Sequence, residues 1–272
     1  MVLILAGTPI GNIGDASQRL ITTLQEATVI AAEDTRTLLK LANHLGIKLH
    51  AELISLNEHN ELQKLDRLVE IASSSNLVLV SDAGMPTISD PGFALVRACS
   101  ERGIEIQVVP GPSSVIAALA VSGLSTDRFS FEGFIPRKSG ERKKFFQKLA
   151  SEERTMIFFE SPHRVSESLE DAAEIFGGQR RASLSRELTK KFEETLRGTL
   201  TELTELAQDL RGEMVLVVAG AEQTAASAEE LVEKVLELRA NGSSLKDASR
   251  QIAKEFGAST SELYDLALKS NR

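Results

Sequence analysis

In the first 110 positions, apolar residues come in short, mostly non-alternating runs, at 2–6, 28–32, 53–56, 77–81 and 106–110. The runs are rich in Val, Ile and Leu and do not alternate with polar residues, the pattern of strands covered on both faces. Between them, apolar residues recur at helical spacing. This β-α alternation predicts an open parallel sheet with right-handed crossovers. Asp15-Ala16-Ser17-Gln18 has the form of a capping box ahead of Leu20, Ile21 and Leu24, and Gly46 and Gly103 stand where helices end.

A second series follows. Residues 129–133, 155–159, 182–185 and 214–219 read as strands, and 192–198 as a further one. Residues 141–149, 165–176 and 200–207 read as helices. The expectation is a second, smaller α/β unit with a mixed sheet. After Gly220 the chain turns small and polar over 221–226, like a linker, and Ser227-Ala228-Glu229-Glu230 caps the first of three short amphipathic helices. The predicted fold class is therefore α/β, with two α/β domains (1–118, parallel sheet; 119–222, mixed sheet) and a helical extension (223–272). The last two helices have a helix-turn-helix pattern. Their mixed charge favours a small bundle packed on the body or on a partner subunit over a module that reads nucleic acid.

Composition narrows the function. Of 272 residues, 42% are hydrophobic and 26% charged, as in an ordinary folded protein. Cys99 stands alone, which fits a reducing, cytoplasmic setting and reads as a buried structural thiol. The N-terminal apolar run is too short for a signal peptide, and no run approaches the length needed to span a bilayer, so no membrane partner is expected. Trp is absent, which argues against recognition by base-stacking platforms, and a net charge of −8 argues against general affinity for nucleic acid. A local basic patch is not excluded. One stretch, Arg137-Lys138-Ser139-Gly140-Glu141-Arg142-Lys143-Lys144, holds five cations and one acid. It reads as a solvated helix start or as a contact for an RNA backbone, and the acidic background favours the second.

In an open parallel sheet, ligands bind outside the carboxyl ends of the strands. Gly7-Thr8-Pro9-Ile10-Gly11-Asn12 follows the first run, but its glycine spacing is neither a dinucleotide nor a phosphate-loop fingerprint. Ser81-Asp82-Ala83-Gly84-Met85-Pro86-Thr87-Ile88-Ser89-Asp90-Pro91-Gly92 follows the fourth run. Two Asp, two Pro and two Gly in twelve residues predict a rigid turn with exposed backbone. Pro110-Gly111-Pro112-Ser113-Ser114 opens a small-residue helix at 115–121, as capping chemistry or as a place where backbone approaches a ligand. Charged clusters occupy further strand ends at Glu33-Asp34-Thr35-Arg36, Glu160-Ser161-Pro162-His163-Arg164 and Arg186-Glu187-Leu188-Thr189-Lys190. Each alone is a plausible solvated loop; together they point to one site shared between the units. His59 and His163 sit in such loops, whereas His44 and His50 read as surface residues. No Cys/His spacing supports a metal site, and no nucleophile elbow is present.

Taken together, these loops, with Phe131-Glu132-Gly133-Phe134 and Gly212-Glu213-Met214-Val215-Leu216-Val217, resemble the tetrapyrrole methylase superfamily, in order from Val2 to about Gly220, and most closely its ribosomal-RNA-modifying branch. The resemblance implies S-adenosylmethionine as methyl donor, held between the two α/β units. It implies 2′-O-methylation of a cytidine in the decoding centre of 16S ribosomal RNA, on free RNA or on the small subunit, by a homodimer. One departure is visible: Met85-Pro86-Thr87 stands where Thr-Pro and an apolar residue are usual, so a hydroxyl contact from position 85 is lost and a backbone contact survives.

On that resemblance, Pro9, Asp82, Ala83, Gly84, Met85, Ser113, Ser114, Phe159 and Met214 are the expected donor-binding residues. A ribose hydroxyl is a weak nucleophile that a positioned base helps; the candidates are Glu33, Asp34, His59, Glu160 and Glu187, with the Glu33/Asp34 pair favoured. Arg36, Arg137, Lys138, Arg164 and Arg186 are the candidate phosphate contacts. Two rival readings are a tetrapyrrole methyltransferase of the same superfamily and a non-catalytic ribosome-assembly factor that only binds the donor.

Overall fold

Five parallel strands, β1 (Val2–Ala6), β2 (Val29–Ala32), β3 (Glu52–Ser55), β4 (Leu77–Val80) and β5 (Glu105–Val109), form the first sheet in the order β3-β2-β4-β1-β5. The central strand β4 is buried at every position. Its Leu77 and Leu79 join Leu3, Leu56, Leu68, Leu95 and Cys99 on one face, whereas Val78 and Val80 join Leu20, Leu24, Ile30 and Leu38 on the other. Burial on both faces is why the run is unbroken rather than alternating. Helices α3 (Glu61–Ser74) and α4 (Phe93–Glu101) cover the first face. The second is covered by α1 (Gln18–Glu26) and α2 (Thr35–His44). Gly46 and Gly103 take left-handed conformations just past α2 and α4. Cys99 is fully buried, and burial pushes its thiol above the ordinary value.

The expected start of α1 is corrected. Ser17, not Asp15, caps it: the Ser17 hydroxyl accepts from the Leu20 N–H at 3.0 Å. Asp15 instead ends a short 3₁₀ turn over Ile13–Asp15, which the Asn12 side chain caps by accepting from the Gly14 N–H. The intervening Ala16 is extended, so no helix can run through it.

The computed structural model describes residues 1–221 and 228–270, so most of the expected linker and the expected cap at Ser227 lie outside the described residues. Cα packing divides the chain into two units, Met1–Gly220 and Ala221–Arg272. The first unit contains a second sheet made of β6 (Phe129–Phe134), β7 (Thr155–Glu160), β8 (Arg181–Arg186), β9 (Glu194–Thr199) and β10 (Met214–Val218), ordered β6-β7-β10-β8-β9. Only β6 and β7 run parallel; β10 is antiparallel to both β7 and β8, and β9 to β8. The sheet is mixed, as the sequence implied. One face packs on α6 (Ser139–Lys148), α7 (Val165–Phe176) and α8 (Leu200–Leu206) through Phe146, Phe158, Leu169, Phe176, Leu203 and Leu216. The other face, with Ile157, Val215 and Val217, receives Val115, Ala118 and Leu119 of α5 (Ser114–Ser122). Helix α5 follows β5 in the chain yet packs on the second sheet. Its nine residues, Ser-Val-Ile-Ala-Ala-Leu-Ala-Val-Ser, are apolar nearly all round, although only the face with Val115, Ala118 and Leu119 is buried and Ile116 and Val121 stay exposed.

Arg142 departs from the picture of a solvated basic helix start. It is 1% exposed, and its guanidinium donates to Asp171 of α7 at 2.6 Å, to Glu167 at 3.4 Å and to the Arg137 carbonyl at 3.3 Å. Lys143 pairs with Glu174 and Asp171 on the same helix. Two of the five cations therefore lock α6 to α7.

The second unit consists of α9 (Ala228–Ala240), α10 (Leu245–Phe256) and α11 (Thr260–Ser270). These close on their own core of Leu231, Val235, Ile252, Leu263 and Ala267.

Candidate active site

The loops after β1, β4 and β5 are laced together by backbone. Thr8 and Gly84 exchange both of their N–H···O bonds, at 2.8 and 3.1 Å, and the Thr8 hydroxyl donates to the Ser81 carbonyl. Gly84 sits at φ +80°, which an L side chain resists. Gly7 and Gly111 meet face to face. A Cβ on Gly7 would lie 2.7 Å from the Gly111 nitrogen and 2.6 Å from the Met85 sulfur. The glycines thus permit a backbone-on-backbone contact that any side chain would block. Beyond Met85 the loop stays strained, with Thr87 at φ +77° and Ser89 at φ +61°. A β-branched residue in that region persists only where its surroundings hold it. Here Glu61, at the start of α3, accepts from the N–H groups of Gly92 and Ala94 at 3.1 and 3.0 Å and fixes the loop's exit.

The same loops face the second sheet. Asn12 donates its N–H to the Thr189 hydroxyl at 3.0 Å, and a Cβ on Gly11 would strike Lys190 and Thr189. Between the two sheets lies a cavity of about 620 Å³, the size of a small-molecule site. It is lined by Ile10, Ala83–Met85 and Ile88–Asp90, and by Ser113–Val115 and Phe134. Its other wall is Phe159–Pro162, Glu187, Leu188 and Gly212–Val215. Phe134 is 61% exposed there, its ring edge-on to Phe159 at 5.2 Å.

The structure brings together Ala83, Gly84, Met85, Ser113, Ser114, Phe159 and Met214, with Glu160 and Glu187 from the candidate bases. Pro9, Asp82, Glu33 and Asp34 do not line the cavity. Asp82 instead ties two strand ends together: its N–H donates to Glu33 at 3.3 Å, and its carboxylate accepts from the Asp34 N–H at 3.1 Å. His59 lies exposed in the turn before α3, its N–H bonded to Asn57, and His163 is exposed in the loop after β7.

The carboxylates differ sharply in their partners. Asp34 caps α2 and forks onto Arg36, and those bonds hold it down at about 2. Glu160 is buried and accepts from the Ser161 N–H at 2.6 Å, from Arg164 at 2.7 Å and from the Ser168 hydroxyl. Glu187 accepts from the Glu213 N–H and from Lys190, each at 3.0 Å, and is held below its ordinary value, first by that N–H. Asp90 is the contrast. Burial, and then the nearby Glu33 carboxylate, push it up to about 6, with Asp82 and Glu58 adding to the rise and the Ser81 hydroxyl opposing it. Glu33 and Asp82 are themselves raised, chiefly by burial. Among the described residues, no three His, Cys, Asp or Glu side chains meet in a metal-holding group.

Three of the candidate phosphate contacts are already paired: Arg36 with Asp34, Arg164 with Glu160 and Arg186 with Glu194. Lys138 pairs with Glu141 at the surface, and Arg137 is exposed. Next to the cavity, sharing Pro162 and Gly212 with it, runs a second groove lined by His163, Ser166, Asp209, Leu210 and Arg211. Arg211 is exposed and makes no ion pair among the described residues. Sequence reasoning missed Asp90 and Arg211. Asp90 lay within a loop valued for its backbone, and Arg211 directly precedes the motif that begins at Gly212.

Comparison with known proteins agrees with this architecture. The sequence model of the family described as Tetrapyrrole (Corrin/Porphyrin) Methylases matches residues 2–204. The ribosomal RNA small subunit methyltransferase I of Mycobacterium tuberculosis (strain CDC 1551 / Oshkosh) is 44% identical over 273 residues, covering 99% of this chain and 95% of its own. Among solved structures, the methyltransferase CobJ superposes with a TM-score of 0.60 at 21% identity, over 81% of this chain and 94% of its own. Uroporphyrin-III C-methyltransferase from Thermus thermophilus, complexed with S-adenyl homocysteine, gives 0.55 at 17% identity, over 80% and 96%. At such identities the two structures bear on the fold, whereas the family match spans every loop that laces the cavity together from the first sheet. The chain belongs to the tetrapyrrole methylase family.

Proposed function

We propose that this chain transfers the methyl group of S-adenosylmethionine to the ribose 2′-oxygen of a cytidine in the decoding centre of 16S ribosomal RNA, acting in the cytoplasm on the RNA or on the small subunit. The observation that carries this reading is the cavity itself, walled by strand-end loops whose glycines bring bare backbone to its surface. The donor fits the residues present. The left-handed Gly84 brings bare backbone to the cavity surface, the Gly7–Gly111 contact behind it fixes the spacing of the loops, and Ile10, Met85, Val115, Leu188, Met214 and Val215 give an apolar wall. Position 85 offers backbone rather than a hydroxyl, and its thioether packs toward Gly7. Bound S-adenosylmethionine supplies an electrophilic methyl on a sulfonium. Because the sulfonium charge disappears as the methyl leaves, a water-poor apolar wall favours transfer. Ala83–Met85, Ser113, Ser114, Phe159 and Met214, which line the cavity, would hold the donor.

The choice of RNA over a tetrapyrrole acceptor rests on the names of the full-length relatives at 44% identity. Exposed Arg137, Lys138 and Arg211 supply local cations on an acidic protein. No described helix is long and apolar enough to cross a membrane. A homodimer suits the free edge of β5, where Val108 and, on the next helix, Ile116 are half exposed. The test is a map of ribose methylation on small-subunit RNA from cells with and without the gene. Loss of one decoding-centre cytidine 2′-O-methyl is expected. An unchanged map, or transfer by the purified protein to a tetrapyrrole precursor but not to small subunits, overturns the reading.

A further inference from the structure

Four carboxylates line the cavity: Asp90, Glu160, Glu187 and Glu213. Three have cationic partners. Arg164 holds Glu160, and Lys190 holds both Glu187 and Glu213. Asp90 makes no ion pair among the described residues. Its neighbours are like-charged or neutral: Glu33 beyond β2, Glu58 beyond β3, Asp82 in its own loop and the Ser81 hydroxyl. Its backbone is fixed between the left-handed Ser89 and the Gly92 that Glu61 clamps. A carboxylate set into a cavity wall, rigidly carried and without a counter-charge, has lone pairs to offer an incoming proton donor.

We infer that Asp90 is the general base that accepts the proton of the attacking hydroxyl, a role that rests on the ribose-methylation reading. The proton passes from the 2′-hydroxyl to a carboxylate oxygen of Asp90. The 2′-oxygen bonds the methyl carbon as the carbon–sulfur bond breaks, and the electron pair stays on sulfur as a neutral thioether. Protonated Asp90 then returns its proton to solvent. Burial and the surrounding carboxylates have a purpose in this scheme: together they raise the proton affinity of Asp90 toward neutrality, where a base is both ionised and strong enough to act. Glu33 and Asp34, favoured from sequence, become positioning residues. Glu33 acts on Asp90 through charge, and Asp34 holds the Asp82 loop.

The experiment measures turnover of purified protein on small subunits between pH 5 and 9, beside donor affinity by calorimetry. Asp90→Asn is expected to lower kcat by about 10²–10⁴-fold with donor affinity unchanged. It is also expected to abolish an acid limb centred near pH 6 in the wild type. Glu33→Gln, which keeps the base but removes the like charge that acts on it most, is expected to move that limb to lower pH. Near-wild-type turnover of Asp90→Asn, persistence of its acid limb, loss of donor binding in parallel with turnover, or a limb that Glu33→Gln leaves in place would each overturn the assignment. A wild-type protein that labels no ribose at all overturns the parent reading instead.

Discussion

At the scale of single residues, function and stability oppose one another at Asp90. Its folded-state value of about 6 lies above the ordinary 3.8, so the native state binds the proton more tightly than the unfolded chain does. The stability this group contributes is present below 3.8 and is lost as pH rises through 6. At neutral pH the ionised carboxylate is therefore a burden on the fold. Asp90→Asn should raise stability at pH 7.5 by about 1 kcal/mol, allowing for solvent screening of a half-exposed group, or about 2–4 °C in Tm. The gain should vanish near pH 3. A thermal-melt series across that range checks both sign and window. Gly7 carries the opposite expectation. Gly7→Ala sets a methyl 2.7 Å from the backbone of Gly111, which cannot rotate away. The two loops must part, and a loss of about 1–3 kcal/mol in stability, read by thermal unfolding, should accompany a collapse of donor affinity, read by calorimetric titration. Neither position announced its role in the sequence. Gly7 was visible as a loop glycine, but its partner lies 104 residues away and only the β1–β5 pairing brings them together. Asp90 looked like turn chemistry, because an Asp before Pro is ordinary in turns and nothing local reveals that Glu33 and Glu58 converge on it.

At the scale of elements, the inner strands of the first sheet were plain because burial on both faces writes a continuous apolar run, as in β4, whereas the edge strand β5 is mostly exposed and carries Gln107 within its run. Helix ends were legible where the signal is local, as at Gly46 and Gly103, which take left-handed conformations just past α2 and α4. They were less so where two caps competed, as at Asp15 and Ser17. Long-range pairing left no local trace. The run around Arg142 reads as basic surface until Asp171, 29 residues on, is seen beneath it. The buried Arg142–Asp171 pair makes a direct prediction. Arg142→Met leaves the buried Asp171 with only Ser139 and the more distant Lys143 and should cost about 3 kcal/mol, whereas Arg142→Met with Asp171→Leu should recover most of that. Denaturant unfolding of the two variants settles it. A single variant as stable as the wild type would mean that the pair does not lock α6 to α7.

At the scale of the whole molecule, alternating strands and helices foretold one parallel and one mixed sheet but not that α5 would leave its own series to pack on the second. That placement draws Ser113–Val115 into the cavity wall opposite β10. It shows in the sequence only as an unusually apolar helix. The distribution of charge follows the same logic. The chain carries −8 overall, and Arg36, Arg142, Arg164 and Arg186 are all engaged with carboxylates, whereas Arg137 and, beside the cavity, Arg211 are exposed and make no ion pair among the described residues. An RNA backbone held by these two would be released by salt, each phosphate contact adding a slope of about 0.7–0.9 in log K against log salt. Arg211→Ala, beside the groove that adjoins the cavity, should therefore raise KM for the small subunit and flatten its salt dependence by about one contact, with donor affinity and kcat kept. Arg186→Ala tests the converse. Its guanidinium is 2.6 Å from Glu194, so its loss should alter the β8–β9 hairpin and leave the salt slope unchanged. If both variants shift the slope equally, the paired arginines open to meet RNA, and the division between structural and substrate-facing cations drawn from the free protein does not survive binding.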